Sequence, residues 1–217
     1  MNRRTLVPVL LTVVLLTASM VAFAAWDGRQ DITLGNTVSA EFVADPGDEL
    51  HHYRFYAPAE TTIRTTLKVA KGSPLLPLVE LRDVNNALIK ELAPRDTTLV
   101  EESGWYELQV SATAGIGEYS LKTKGKFPKK VQETVDTGSL EFDAVAGARM
   151  TAQVKKARGS QAVPVIESLS GPLGPVEIGA EGRKVKNITL VASGTYTLTW
   201  RDDGEGGDVT AKVTLKA

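Results

Sequence analysis

The two histidines of this chain, His51 and His52, are its first candidates for chemistry, and they are adjacent. Neighbouring residues of a β-strand point to opposite faces, so these imidazoles cannot both bind one metal ion in regular β geometry. We interpret them as ordinary strand histidines and keep both as candidate members of a binding surface. The chain has no cysteine, which excludes thiol catalysis, disulfides and thiolate metal sites.

The other polar residues form no recognisable catalytic motif. Ser168 and Ser170 lie near glycines but do not build the Gly-x-Ser-x-Gly turn of a serine hydrolase, and no phosphate-binding or dinucleotide fingerprint occurs. We interpret the acidic pair Glu101 and Glu102 as solvated loop residues. We predict that the chain is not an enzyme, and the alternative is a small secreted hydrolase that uses a carboxylate pair between two modules.

Residues 202–208 form the richest oxygen cluster, with four carboxylates among three glycines. Calcium takes about six to eight oxygen ligands, so this loop is the candidate for a calcium-stabilised module. However, Asp-Gly and Gly-Gly are also common in hairpin loops that hold no ion. We predict no cofactor, and the alternative is calcium bound by Asp202, Asp203, Glu205 and Asp208.

Trp105 is the aromatic candidate for a binding surface. It precedes Tyr106 on a predicted strand, so one of these two rings faces outward. An exposed ring on a sheet can stack on a sugar or on a protein partner. The interpretation that we favour is that Trp105 packs beneath a neighbouring loop.

Strand patterns position these residues. Alternation of apolar and polar residues, rich in β-branched and aromatic types, occurs in residues 63–69, 105–110 and 195–200, whereas no long segment keeps apolar residues at helical spacing. Short strands bounded by Gly, Pro, Asp and Asn predict an all-β sandwich protein.

The chain also repeats itself, with an offset of 87 residues that becomes 90 after a three-residue insertion. We interpret the shared positions as structural, because glycines permit positive φ in turns and the matched tyrosines pack while their hydroxyls bond the backbone at the start of a strand. Function is therefore expected outside them, first in residues 48–52 and 202–208. The matched pairs include Phe55 and Phe142, Lys68 and Lys155, Gly72 and Gly159, Ser73 and Ser160, and Tyr106 and Tyr196.

The repeat predicts two modules, residues 26–125 and 131–217. Five lysines, with Gly and Pro, fall in residues 122–130. We interpret this segment as the end of a last strand and a solvated linker, and the alternative is a basic binding patch.

Residues 1–24 have the composition of a secretory signal peptide. Arg3 and Arg4 precede an apolar run, and residues 22–24 (AFA) place small side chains where a signal peptidase recognises them. An uncleaved membrane anchor is the alternative. We expect an exported protein, periplasmic or extracellular, without membrane association after cleavage. The net charge of −1 provides no electrostatic attraction to nucleic acid, so we expect no nucleic acid partner.

Several motifs of the first module match a known pattern. Residues 48–55 (DELHHYRF), 81–86 (LRDVNN), 104–108 (GWYEL) and 119–121 (YSL) resemble the bacterial pre-peptidase C-terminal domain, a jelly-roll β-sandwich of secreted proteins. Asn86 stands where that family usually has glycine, and asparagine is enriched at positive φ. The second module keeps residues 193–198 (SGTYTL) but lacks the other motifs, so its membership depends on the repeat.

The resemblance implies two tandem jelly-roll-like antiparallel β-sandwiches, the second divergent. It also implies non-catalytic appendage domains, some removed from proteases and some binding polymers or calcium. We predict a secreted binding or structural protein whose candidate surface includes His51, His52 and Trp105. Its partner would be an envelope protein, a polysaccharide or a protease that it accompanies.

Overall fold

A computed structural model describes residues 29–44, 47, 49–136, 138–179 and 182–216. The predicted signal peptide, residues 1–24, lies outside the described residues. Every helix or strand in the described part of the chain is a β-strand, which confirms the all-β prediction. These residues include no helix that is long and apolar enough to cross a membrane.

Residues 29–126 form the N-terminal sandwich, which contains a five-stranded sheet, β1-β3-β8-β5-β6, and a four-stranded sheet, β2-β9-β4-β7. Its strands are β1 (Arg29–Asp31), β2 (Thr37–Phe42), β3 (Leu50–Ala57), β4 (Thr61–Val69), β5 (Leu76–Asp83), β6 (Leu88–Leu92), β7 (Arg95–Val100), β8 (Gly104–Ala114) and β9 (Gly117–Lys126). All pairings are antiparallel except that of β1 with β3.

Residues 130–216 form the C-terminal sandwich from two four-stranded sheets, β11-β16-β13-β14 and β10-β17-β12-β15. Its strands are β10 (Lys130–Val135), β11 (Ser139–Ala144), β12 (Arg149–Lys156), β13 (Pro164–Gly171), β14 (Gly174–Val176), β15 (Lys184–Thr189), β16 (Gly194–Asp202) and β17 (Val209–Lys216). All of its pairings are antiparallel.

The C-terminal sandwich repeats the strand order of the N-terminal one. The order β3-β8-β5-β6 recurs as β11-β16-β13-β14, and β2-β9-β4-β7 recurs as β10-β17-β12-β15. The register recurs as well, because Lys68 lies opposite Ser120 and its match Lys155 lies opposite Thr210. Among the described strands, β1 alone has no counterpart.

Each sandwich encloses a separate hydrophobic core. Strand alternation builds both cores, since Ile63 and Leu67 of β4 are buried while the intervening Arg64 is exposed. Phe55 stacks on Tyr106 with ring centroids 6.1 Å apart, and the matched Phe142 stacks on Tyr196 at 5.7 Å.

The matched tyrosines also have the predicted backbone bonds. The hydroxyl of Tyr106 donates to the carbonyl oxygen of Glu102 at 2.7 Å, and that of Tyr196 donates to the carbonyl oxygen of Ala192 at 2.7 Å. Each bond ties a buried ring to the loop before its strand, which satisfies a phenol that burial would otherwise leave unpaired.

The turn predictions are confirmed at three positions. Gly72 and Gly159 have φ angles of 82° and 84°, and Asn86 has a φ of 64°. Asp83 stabilises the turn at Asn86, because its carboxylate accepts hydrogen bonds from the backbone N–H groups of Asn85 and Ala87.

Candidate functional site

His51 lies in the interior of the N-terminal sandwich, with 2 % of its surface exposed. Its ring stacks on Phe42 at 4.3 Å, its Nδ1 lies 2.6 Å from the hydroxyl of Tyr119, and its Nε2 lies 2.8 Å from Oε1 of Glu49. The prediction of His51 as a surface residue is therefore corrected, because strand alternation turns this side chain into the core.

The polar groups around His51 have shifted pKa values. Burial raises the pKa of Glu49, but hydrogen bonds from His51 and from two backbone N–H groups outweigh it and hold that pKa below its usual value. Burial also raises the pKa of Tyr53 to about 12, although its hydroxyl lies 2.7 Å from that of Tyr119. The cluster thus combines an ionised carboxylate with neutral phenols at neutral pH.

His52 points to the opposite face, as the sequence predicted. Its Nδ1 lies 2.6 Å from Oε1 of Glu107, and Nε of Arg29 lies 3.2 Å from the other oxygen of that carboxylate. The side chain of His52 is partly exposed on the outer face of the sheet, in a cluster with the carboxylate of Glu107 and the guanidinium of Arg29.

Trp105 lies on this same outer face, near the boundary between the two sandwiches. The guanidinium of Arg54 stands 4.6 Å from the centre of its ring, and Arg54 also forms a two-pronged ion pair with Asp31 at 2.7 and 3.0 Å. The edge of Trp105 meets Tyr56 at 5.8 Å, and the side chain packs against the core of the C-terminal sandwich. The ring of Trp105 is thus covered in part by the guanidinium of Arg54 and by the C-terminal sandwich, rather than by a loop.

Asp143 is the carboxylate at the junction of the sandwiches. Its Oδ1 accepts hydrogen bonds from the hydroxyls of Tyr56 at 2.6 Å and Thr195 at 2.8 Å, and its Oδ2 accepts one from the hydroxyl of Ser103. Burial raises the pKa of Asp143, but the three hydroxyl donors outweigh it and hold that pKa below its usual value. Two of these donors come from the N-terminal sandwich, so Asp143 links the two sandwiches.

The predicted carboxylate pair and calcium loop are both exposed loop segments. Glu101 and Glu102 are exposed, in the loop before β8. In the loop after β16, Asp202 accepts hydrogen bonds from the backbone N–H groups of Val163 and Gly204, and Asp203 accepts one from Arg201, whereas Glu205 and Asp208 are exposed. Nowhere in the described ranges do three or more His, Asp or Glu side chains converge as metal ligands do.

The outer faces of β2-β9-β4-β7 and β10-β17-β12-β15 are two cationic surfaces, of which the sequence predicted only a part, as the alternative basic patch in residues 122–130. Pairing register and exposure place on the first face the cations Arg64, Lys68, Arg95, Lys122, Lys124 and Lys126. The same criteria place on the second face Lys130, Arg149, Lys155, Lys184, Lys212 and Lys216. The signal was present in the sequence as lysines at every second residue from 122 to 126.

The linker predicted within residues 122–130 is shorter than expected, because most of this segment belongs to strands. Lys122, Lys124 and Lys126 all belong to β9, and Lys130 already begins β10. Of the three residues between these strands, Phe127 is buried in the core of the C-terminal sandwich. The connection is therefore short and anchored, and the lysines belong to sheet faces.

These features define an all-β sandwich protein. No family model matches the chain, and no curated protein matches it. Among solved structures, it is similar to the pre-peptidase C-terminal domain of a collagenase from Bacillus anthracis, with 18 % identity over 44 % of this chain and 94 % of that one and a TM-score of 0.37.

Two further similar structures are a periplasmic inhibitor of g-type lysozyme and a segment of a rat protein. PliG from Aeromonas hydrophila has 14 % identity over 45 % of this chain and 99 % of that one, with a TM-score of 0.36. The CUB1-EGF-CUB2 segment of rat MASP-1 has 7 % identity over 87 % of this chain and all of that one (100 %), with a TM-score of 0.27.

Proposed function

We propose that this chain is an exported, non-catalytic binding protein made of two β-sandwiches of the pre-peptidase C-terminal type, the second a divergent copy of the first. The observation that carries the proposal is that hydroxyls from both sandwiches donate hydrogen bonds to the carboxylate of Asp143 at the junction. The hydrolase alternative requires a catalytic carboxylate between the modules, and the junction instead holds a carboxylate that serves as a structural link.

The chemistry of Asp143 supports a structural role. A general acid in glycoside hydrolysis needs a raised pKa so that it carries a proton at working pH. The pKa of Asp143 is lowered, which does not suit a general acid. The other catalytic carboxylate needs an oxygen free to reach water or sugar, whereas both oxygens of Asp143 accept hydrogen bonds from hydroxyls. The exposed faces of the two sandwiches are then what the protein offers to a partner.

The proposal of a duplicated module is supported by contacts that recur at matched positions. The Oγ of Ser103 accepts a hydrogen bond from the N–H of Ala59 at 2.8 Å, and the Oγ of Ser193 accepts one from Ala146 at 2.9 Å. In the turns after β4 and β12, Ser73 and Ser160 likewise accept from backbone N–H groups two residues onward. Shared strand order and shared local bonds favour descent from one module.

Export is proposed from residues 1–24, which have a signal-peptide composition. The partner is then a component of the cell envelope or of the surrounding medium. N-terminal sequencing of the chain recovered outside the cytoplasm should begin at residue 25. A chain that keeps its full N-terminus and stays with the membrane would contradict export as a free protein.

The binding function is tested with isolated cell-envelope material. The mature chain is incubated with this insoluble material, and both the co-sedimented protein and the reducing ends released into solution are measured. We expect saturable co-sedimentation without release of reducing ends. Release that is lost in the Glu101→Gln/Glu102→Gln variant would replace the proposal by the hydrolase, and absence of co-sedimentation would refute a binding role.

A further inference from the structure

Four cationic positions recur at equivalent places on the two outer faces. Register defines the equivalence: Lys122 and Arg95 both lie opposite Thr66, and their counterparts Lys212 and Lys184 both lie opposite Gln153. The four pairs are Lys68 and Lys155, Arg95 and Lys184, Lys122 and Lys212, and Lys126 and Lys216. The expectation that every shared position has a packing or turning role is therefore wrong, because these side chains are exposed.

Stability does not explain the like-charged pairs on the two faces. Arg64 lies directly opposite Lys124, and Arg149 lies directly opposite Lys216. Like charges at directly opposed positions destabilise a sheet. Neither pair is neutralised, since the ion pairs found among the described residues involve other cations.

Protection of sheet edges does not explain the cations on the interior strands. Lysines often blunt an exposed edge strand against pairing with another chain. However, β9, β4, β17 and β12 are interior strands, each hydrogen-bonded on both sides. Lys68, Lys122, Lys155 and Lys212 lie on these interior strands, so their charge has another use.

The remaining side chains of the two faces indicate the kind of ligand. The first face adds mainly Thr and Ser, with Glu41 and Glu118 at one end and Leu99 at the β7 edge. The second face adds only Thr and Gln at the paired positions and no carboxylate. Neither face has an aromatic platform for nucleobases or an apolar cluster for membrane insertion.

We propose that the two outer faces bind an acidic polysaccharide, which deepens and depends on the proposed binding function. Thr66 separates Arg95 from Lys122 and Gln153 separates Lys184 from Lys212, so each of these pairs spans two strand spacings, about 9.6 Å. Cations spaced in this way on both faces meet the repeated charges of an extended polymer. Hydroxyl and amide side chains between the cations supply hydrogen bonds to sugar hydroxyls. The overall charge of −1 conceals this arrangement, because it sums over the whole chain, whereas the paired positions of these faces hold twelve cations and the two carboxylates Glu41 and Glu118.

The test measures the affinity of the full mature chain for polygalacturonate. The Lys122→Gln/Lys212→Gln variant removes one cation from each face, and Lys71→Gln/Arg158→Gln removes the same charge from exposed turns of both sandwiches. We expect the first variant to raise Kd at least about tenfold, because a complex with fewer cation contacts releases fewer counterions from the polymer. The second variant should raise Kd less than about twofold, because its cations lie outside the two faces. Binding of the unchanged chain should weaken steeply with salt.

Other probes decide against other ligands. Neutral dextran should not bind, and poly(dT) and phosphatidylglycerol vesicles should bind more weakly than polygalacturonate. Equal losses in both double variants, no binding to polygalacturonate, or tighter binding to the vesicles or poly(dT) would overturn the inference. If the Lys122→Gln/Lys212→Gln variant co-sediments with envelope material as well as the unchanged chain does, the polysaccharide inference is refuted but the proposed binding function is not. If the unchanged chain does not co-sediment at all, both are refuted.

Discussion

The hydroxyl of Tyr56, on β3, donates a hydrogen bond to Oδ1 of Asp143, on β11, across 2.6 Å. The two residues belong to different sandwiches, and Tyr56 packs with the core of the sandwich that contains Asp143. A polar bond and an apolar contact thus act together at one boundary. The two sandwiches should therefore unfold as coupled units.

Removal of the Tyr56 hydroxyl should uncouple the two sandwiches in part. Tyr56→Phe is expected to lower the free energy of unfolding by about 1 kcal/mol, and Asp143→Ala by about 1–3 kcal/mol, because Asp143→Ala leaves three hydroxyl donors without their acceptor. In a double-mutant cycle followed by urea denaturation, the two changes should cost less together than their sum. Strict additivity would contradict a direct bond.

Acid should weaken the junction through Asp143. Its folded-state pKa lies below its ordinary value of 3.8. The stabilisation is therefore fully present above pH 3.8 and is lost as the pH falls through the lower folded-state pKa. Urea denaturation at a series of pH values should show the difference between the unchanged chain and Asp143→Asn shrinking in that range, and a constant difference would contradict the assignment.

Relief of the like-charge pair on the first face should stabilise the protein. At the position equivalent to Arg64 the C-terminal sandwich has Thr151, which lies opposite Thr214. Arg64→Thr is therefore expected to raise the free energy of unfolding by about 0.2–1 kcal/mol at low salt. The gain should vanish near 1 M salt, where screening is strong, and a variant that loses stability at low salt would show that Arg64 has a structural partner.

Calcium should not change the stability of the chain. Asp202 and Asp203 already accept hydrogen bonds from backbone N–H groups and from Arg201. An ion that binds only the folded state must raise the melting temperature. Thermal unfolding with millimolar calcium and with EGTA should give the same midpoint, and a shift that Glu205→Gln abolishes would restore the calcium-stabilised module.

Sequence patterns predicted what depends on local geometry. Alternation assigned His51 and His52 to opposite faces, and the repeat located the positive φ angles of Gly72 and Gly159. Each of these conclusions needs only the period of a strand or the steric freedom of one residue.

The junction could not be predicted in this way. Tyr56 and Asp143 are 87 residues apart, and alternation assigns both to faces that a single sandwich exposes to solvent. Only the docking of one sandwich on the other buries Tyr56 and partly covers Trp105. The cationic faces were predicted only in part, as the alternative basic patch of residues 122–130, because a net charge sums over surfaces that the fold separates.

If the two equivalent cationic faces hold the partner together, a single substitution on either face must weaken binding. Lys122→Gln alone and Lys212→Gln alone should each raise the Kd for polygalacturonate, measured by titration calorimetry, by a similar factor of roughly three to ten. The double variant should show about the product of the two factors, as expected when one polymer chain contacts both faces at once. Affinity that stays unchanged in both single variants and in the double variant would contradict binding by the two faces.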